Sequence, residues 1–179
     1  MASLDEVGPT LPSIARRAIT DFLSGEGMAS FEPGGPASPV FVTLRGPGGA
    51  LRGCIGSVSP SRRDVVSETA RSAVLAATRD PRFDPVSASE VSRLSIEVSV
   101  LEPEEPIETM AELDPSRYGV VVRDGSGRQG LLLPDIDGVN DAGVQVDVAR
   151  RKAGIQTGVP LRLSRFLVHK WMDQAAQGA

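Results

Sequence analysis

The sequence predicts an α+β fold, a mainly antiparallel sheet with flanking helices. Three observations carry this. Apolar stretches come in pairs across Gly-rich turns, residues 40–45 with 51–57 and 118–123 with 130–134, the mark of hairpins. Leu94, Ile96, Val98 and Val100 alternate with Ser95, Glu97 and Ser99, the period of a half-buried strand. The helical periodicities fall irregularly between these strands rather than one after each, which argues against a parallel βαβ sheet.

Taken in order, residues 1–9 show no periodicity and read as a loosely held N-terminus. Leu11, Ile14, Ala18 and Phe22 then recur at helical spacing, with Thr10 as the expected N-cap and Gly25 as the stop. Residues 24–39 are rich in Gly, Pro and Ser and read as loop, either a connector or a mobile lid. After the first hairpin, Ser61 and Asp64 stand at capping-box spacing and open a helix that runs to about Arg79. Its inner stripe, Val66, Ala70, Ala73 and Ala77, is small enough to lie close on a sheet. Pro81 and Pro85 end it, because the residue before a proline is held out of helical geometry.

Beyond the strand at residues 93–101, the acidic run 101–108 with Pro103 and Pro106 is expected to be a solvated linker. The second hairpin turns across residues 124–127. A helix follows over 141–153, with Arg150, Arg151 and Lys152 matching its negative C-terminal end and Gly154 as cap. The last strand, 160–170, loses its alternation at Arg165 and Phe166, where a bulge or an end of pairing is expected. Residues 173–179 read as a flexible tail, which leaves one domain over residues 10–172.

Composition bounds the function. The 179 residues suit a single domain, and 40% apolar with 23% charged residues is ordinary for a soluble globular protein. A formal charge of −4 lacks the basic footprint of sequence-independent nucleic-acid binding, so no nucleic-acid partner is expected. No apolar run approaches the roughly 20 residues of a membrane span, and no basic-then-apolar leader opens the chain. One cysteine excludes an internal disulfide and suits a reducing compartment. A cytoplasmic protein without a membrane partner is expected.

Several apparent motifs fail on context. The glycines of residues 125–130 have the spacing of a dinucleotide loop, but a strand follows, so no helix N-terminus is offered to a pyrophosphate. Residues 46–49 lack the Gly-Lys-Ser/Thr ending of a phosphate loop. In residues 135–138 the glycine comes too early for an EF-hand. One histidine and one cysteine cannot supply the usual ligands of a structural zinc site, so no metal is expected and no cofactor is indicated. His169 is either an ordinary strand residue or the partner of Cys54 in a dyad.

Cys54 remains, set between Gly53 and Gly56. Glycine weakens a strand unless the backbone bulges or something approaches it closely. On a regular strand Arg52, Cys54 and Gly56 share a face, and a guanidinium beside a thiol favours the nucleophilic thiolate. In the opposing reading Cys54 is a small apolar filler. The face of Ser95, Glu97 and Ser99 and the segment 79–82 add charge: Arg82 either meets an acidic ligand or pairs with Asp80 or Asp84.

Six stretches then line up in order: Phe41-Val-Thr-Leu-Arg45, Leu51-Arg-Gly-Cys-Ile-Gly-Ser57, Arg79-Asp-Pro-Arg-Phe83, Ile96-Glu-Val-Ser-Val-Leu101, Gly130-Leu-Leu-Leu-Pro134 and Lys152-Ala-Gly154. Over residues 10 to 170 the chain resembles the AMMECR domain family. The resemblance implies two unequal lobes with the Leu-Arg-Gly-Cys-Ile-Gly motif lining a cleft between them. In prokaryotes it also implies association with a Memo-like protein and a radical S-adenosylmethionine enzyme. Arg52, Gly53, Cys54, Ile55 and Gly56 carry over as site residues, but the resemblance brings no settled reaction. Ser57 stands where the family usually has threonine. Two functions are therefore expected as alternatives. One is an enzyme, or enzyme component, using Cys54 on a small substrate, with Arg52, Arg82 and Glu97 in binding roles. The other is a non-catalytic interaction or ligand-delivery module.

Overall fold

The computed structural model describes residues 2–28 and 30–173, so the tail expected after Asp173 lies outside the described residues. The architecture is α+β, with two four-stranded sheets ordered β2-β1-β3-β8 and β4-β7-β5-β6. The strands are β1 (Val40–Arg45), β2 (Leu51–Gly56), β3 (Ser95–Leu101), β4 (Glu105–Ile107), β5 (Gly119–Arg123), β6 (Gln129–Leu132), β7 (Arg162–Phe166) and β8 (Val168–Asp173). The helices are α1 (Leu4–Val7), α2 (Leu11–Leu23), α3 (Val65–Thr78) and α4 (Ala142–Lys152). The chain divides into two compact units, one running through Val100 and resuming at His169, the other Leu101–Val168.

In the first unit, Val40, Val42, Leu44, Ile96, Val98 and Val100 line one face of the sheet and are essentially inaccessible. They pack on Leu11, Ala15 and Ile19 of α2 and Val65, Val66, Ala73, Ala76 and Ala77 of α3 in one apolar core. With so few aromatics, the core closes by bringing a small-residue helix near the sheet rather than by filling space with rings. The nine residues without periodicity hold a capped turn: the Ser3 hydroxyl accepts from the Glu6 N–H at 3.3 Å, and the Glu6 carboxylate accepts from the Ser3 N–H at 2.6 Å. One turn is too short to show a period.

Two caps differ from expectation. Thr10 has helical backbone angles, and its hydroxyl donates back to the Val7 carbonyl, so it does not cap α2. The α3 cap is Asp64, whose carboxylate accepts from the Ser67 N–H at 2.9 Å and hydroxyl at 2.8 Å and from the Gly34 N–H at 3.2 Å. Ser61 serves the preceding turn instead: its N–H and the Arg62 N–H donate to the fully buried Glu68 carboxylate at 2.6 and 2.7 Å.

In the second unit, Val120, Val122 and Leu132 pack against Val146 and Ala149 of α4. Asp141 caps α4, accepting from Gly143 and Val144. The acidic run is not a solvated linker throughout. Residues 105–107 form β4, paired antiparallel with β7, and Pro106 is tolerated because β4 is an edge strand. The Glu104 carboxylate takes a bidentate bond from Arg123 at 2.6 and 2.7 Å. The break expected near Arg165 and Phe166 is a change of sheet: β7 pairs with β4 and β5, and one residue later β8 joins the first sheet beside β3.

Candidate functional site

The site is built on β2, an edge strand of the first sheet. The register sets Thr43 opposite Cys54 and Phe41 opposite Gly56 on β1, and sets Glu97 opposite Thr43 and Ser99 opposite Phe41 on β3. Gly53 faces α3, where a Cβ would collide with the Ala76 carbonyl oxygen. Ile55, on the same face, packs on the core. Side chains alternate along a strand, so Cys54 and Gly56 lie on the opposite face. A Cβ on Gly56 would collide with the Phe41 ring. The two glycines beside the thiol are thus demanded by a helix backbone and an aromatic ring.

Arg52 departs from the expected alternation. Leu44 pairs with Gly53 and Arg45 with Leu51, which leaves Arg52 as the extra residue of a bulge, and a bulge re-aims its side chain. Its guanidinium goes to the Glu90 carboxylate at 3.0 Å and to the carbonyls of Asp84 and Pro85 at 2.8 and 3.3 Å. Arg52 therefore ties β2 to the segment 84–90 and does not sit on the thiol. The Ser87 N–H, then Arg52 and the Ser87 hydroxyl, hold the Glu90 carboxyl at about 2, against an ordinary 4.5.

Arg82 is the guanidinium that reaches Cys54, through the backbone. Its fork grips Asp80 at 2.9 and 2.7 Å, and one arm lies 3.4 Å from the Cys54 carbonyl oxygen. Asp80 in turn accepts the Cys54 N–H at 2.9 Å. Both backbone groups of Cys54 face the free edge of the sheet, where they would otherwise lack ladder partners, and the Asp80–Arg82 pair supplies both. The Asp80 side chain is 3% exposed and that of Arg82 54%. The Arg82 fork, joined by the Cys54 and Arg82 N–H groups and opposed by burial, holds the Asp80 carboxyl far below its ordinary 3.8. The pairing with Asp80 is the outcome for Arg82, and Arg79-Asp-Pro-Arg-Phe83 is the clamp of the Cys54 strand.

The thiol itself is half-buried. The Thr43 hydroxyl donates to Sγ at 3.4 Å. Nothing in the sequence alone points to Thr43 as a contact of the sulfur, although it is the one polar residue in the apolar run 40–44 and the hairpin register places it opposite Cys54. Glu97 lies on the same face as Thr43, takes a 3.4 Å bond from the Ser99 hydroxyl, and has no basic partner among the described residues. His169 is brought to a different place. It stacks on Trp171 in β8, with β1 and β3 between that strand and β2, so no dyad forms with Cys54. Among the described residues no three His, Cys, Asp or Glu side chains gather as metal ligands do. No described helix is long and apolar enough to cross a membrane.

The Gly-rich loop of residues 125–130 is a hairpin turn. Asp124 accepts from the Ser126 N–H and hydroxyl at 2.9 Å and from the Arg128 N–H and Nε at 2.9 and 2.7 Å, which closes the loop on itself.

Comparison with known proteins agrees with this frame. The AMMECR1 family model matches residues 12–171. A protein of Thermotoga maritima is 44% identical over 132 residues, 73% of this chain and 75% of that one. One of Clostridium acetobutylicum is 40% identical over 129 residues, 72% of this chain but 27% of the longer protein. The crystal structure of an uncharacterized protein from Pyrococcus horikoshii superposes with a TM-score of 0.84 at 30% identity, covering 97% of this chain and 95% of that one.

Proposed function

The chain belongs to the AMMECR1 family, and we propose that it acts as an enzyme, or as the thiol-bearing component of one, on a small substrate at Cys54. One observation carries this reading. Nearly everything around the thiol has a structural use: Gly53 and Ile55 face the α3 core, Gly56 lies under Phe41, Arg52 anchors the segment 84–90, and Asp80 with Arg82 fixes the Cys54 backbone. The Cys54 side chain is the exception, half-buried and contacted by the Thr43 hydroxyl. A strand pinned from outside and a hydroxyl set against the sulfur preorganise the thiol, as a nucleophile requires. In the reaction class proposed, the sulfur electron pair forms a bond to an electrophilic substrate atom as the π bond at that atom opens onto its neighbour. The thiol proton goes to that neighbour, which has gained the electron pair.

Memo-like and radical S-adenosylmethionine proteins are its proposed working partners, in a cytoplasm that keeps Cys54 reduced. A second reading, the non-catalytic delivery or docking module, draws on the fact that both nearby guanidiniums are already bound to carboxylates. No histidine stands on β2 or on β1.

Alkylation by iodoacetamide, followed by mass spectrometry on folded and urea-unfolded chain, separates the two. Modification of folded Cys54 at least as fast as in the unfolded chain is the expected result. Protection of the folded thiol at every pH would overturn the enzyme reading and leave the module.

A further inference from the structure

The row of side chains that begins at Cys54 does not end there. The register sets Cys54, Thr43 and Glu97 directly opposite one another on three adjacent strands, all on the face turned from α3. With strands about 4.8 Å apart, the backbones at Cys54 and Glu97 stand roughly 10 Å from each other, with Thr43 between them. The next row of the same face is Gly56, Phe41 and Ser99.

The charges along this row are unequal in their partners. The two guanidiniums nearest Cys54 are neutralised, Arg52 by Glu90 and Arg82 by Asp80. Arg45, two residues along β1 from Thr43, donates to the Gly49 carbonyl of its own hairpin at 3.2 Å. Glu97 has a neutral partner, Ser99, and no cation among the described residues. A carboxylate left without a cation on the face that carries the thiol offers an ammonium group a charge-assisted hydrogen bond.

We infer that the site takes a small cationic substrate, an amine or another protonated nitrogen compound, held by Glu97 at one end with its electrophilic atom at Cys54. This rests on the proposed role of Cys54 and adds the class and span of the substrate. Glu97 is a binding residue here, and Phe41, whose ring lies over Gly56, stands in the next row at the Cys54 end.

Charged thiol reagents of matched length test it. In 2-aminoethyl and 2-sulfonatoethyl methanethiosulfonate the Cys54 thiolate attacks the sulfenyl sulfur, an S–S bond forms, and methanesulfinate leaves with the electron pair of the broken bond. The rate ratio of the cationic to the anionic reagent is measured on folded protein and divided by the same ratio in urea. The expected quotient is about tenfold, from a carboxylate acting at short range in a partly desolvated site. Glu97→Gln, which can still accept from Ser99, brings the quotient to one, and Glu97→Asp keeps most of it. Circular dichroism and the folded-state rate with uncharged methyl methanethiosulfonate establish that each variant is folded with its thiol accessible. A quotient of one or below in the wild type, with both reagents reacting readily, overturns the cationic substrate and leaves the reactive thiol standing. Failure of all three reagents on folded protein overturns both readings. An unchanged quotient in Glu97→Gln overturns the assignment to Glu97.

Discussion

Two Gly-bearing hairpins, β1–β2 and β5–β6, solve the same packing problem and differ in what they hold. In each, a glycine on the second strand lies under a helix: a Cβ on Gly53 would collide with the Ala76 carbonyl of α3, and one on Gly130 with the Ala149 carbonyl of α4. In each, a buried aspartate is gripped at 2.7 Å by a more exposed arginine, Asp80 by Arg82 and Asp124 by Arg128. Asp124 spends its acceptors on its own turn, residues 126 and 128. Asp80 reaches 26 residues back to the Cys54 N–H. The glycines and the ion pair are therefore scaffold in both places. What sets the first hairpin apart is a thiol at the point where the clamp acts.

The largest effects should appear where the two hairpins are alike. Gly53→Ala and Gly130→Ala each force a methyl group against a helix carbonyl, an overpacking that should cost about 2–3 kcal/mol because backbone, unlike a side chain, cannot turn aside. Urea unfolding of the two variants measures this directly. A Gly53→Ala protein as stable as wild type would show that Gly53 is kept for something that approaches the strand from outside.

The aspartates should then separate the hairpins. Both carboxyls are depressed from an ordinary 3.8. For Asp124 burial pushes upward, but the Ser126 and Arg128 bonds outweigh it and hold the group at about 2. Asp80 lies lower still, chiefly through Arg82. A carboxyl that binds its proton more weakly when folded adds stability that is fully present above its unfolded value and fades as pH falls through the folded one. Stability should therefore decline from about pH 4 downward. Asp80→Asn should remove more of that decline than Asp124→Asn, because the lower folded value extends the loss further. Melting temperatures across pH 2–6 check the order. At neutral pH, Asp80→Asn should also change the alkylation rate of Cys54 several-fold, and Asp124→Asn should leave it untouched. Equal effects on the thiol from both variants would make the clamp an ordinary stabilising pair.

The contrast also marks what a sequence can disclose. Strands such as 95–101 are legible because alternation is local, and the change of sheet after Phe166 is legible as a lost alternation. Its destination is not, because the partners β3 and β5 lie far away in the chain. The strand β4 is hidden by its three residues, its proline and its charge, and it forms because β7 offers a free edge. At the site, the thiol and its flanking motif stand out in the chain, but their division of labour does not. The bulge that turns Arg52 away depends on a slip between two strands, and the clamp depends on where α3 delivers Asp80. Thr43 carries no mark of its own within its stretch and becomes a contact of the sulfur through register alone.

Thr43 therefore gives the smallest structural effect and the sharpest functional one. Its hydroxyl is buried and bonded to Sγ, a weak acceptor, so Thr43→Val, nearly the same shape, removes a bond that contributes about 1 kcal/mol or less. A β-branched residue remains in the strand, and the packing of Phe41 and Cys54 is kept. Unfolding should shift little, while the rate of Cys54 alkylation in the folded state should fall several-fold. Thr43→Ser restores a hydroxyl at the same position and should recover most of the rate, though it packs less well. If Val and Ser variants alkylate alike, the hydroxyl is incidental and the sulfur is placed by the strand clamp alone. If Val slows the thiol and Ser rescues it, the second strand of this hairpin carries a positioned nucleophile that its counterpart in the second unit lacks.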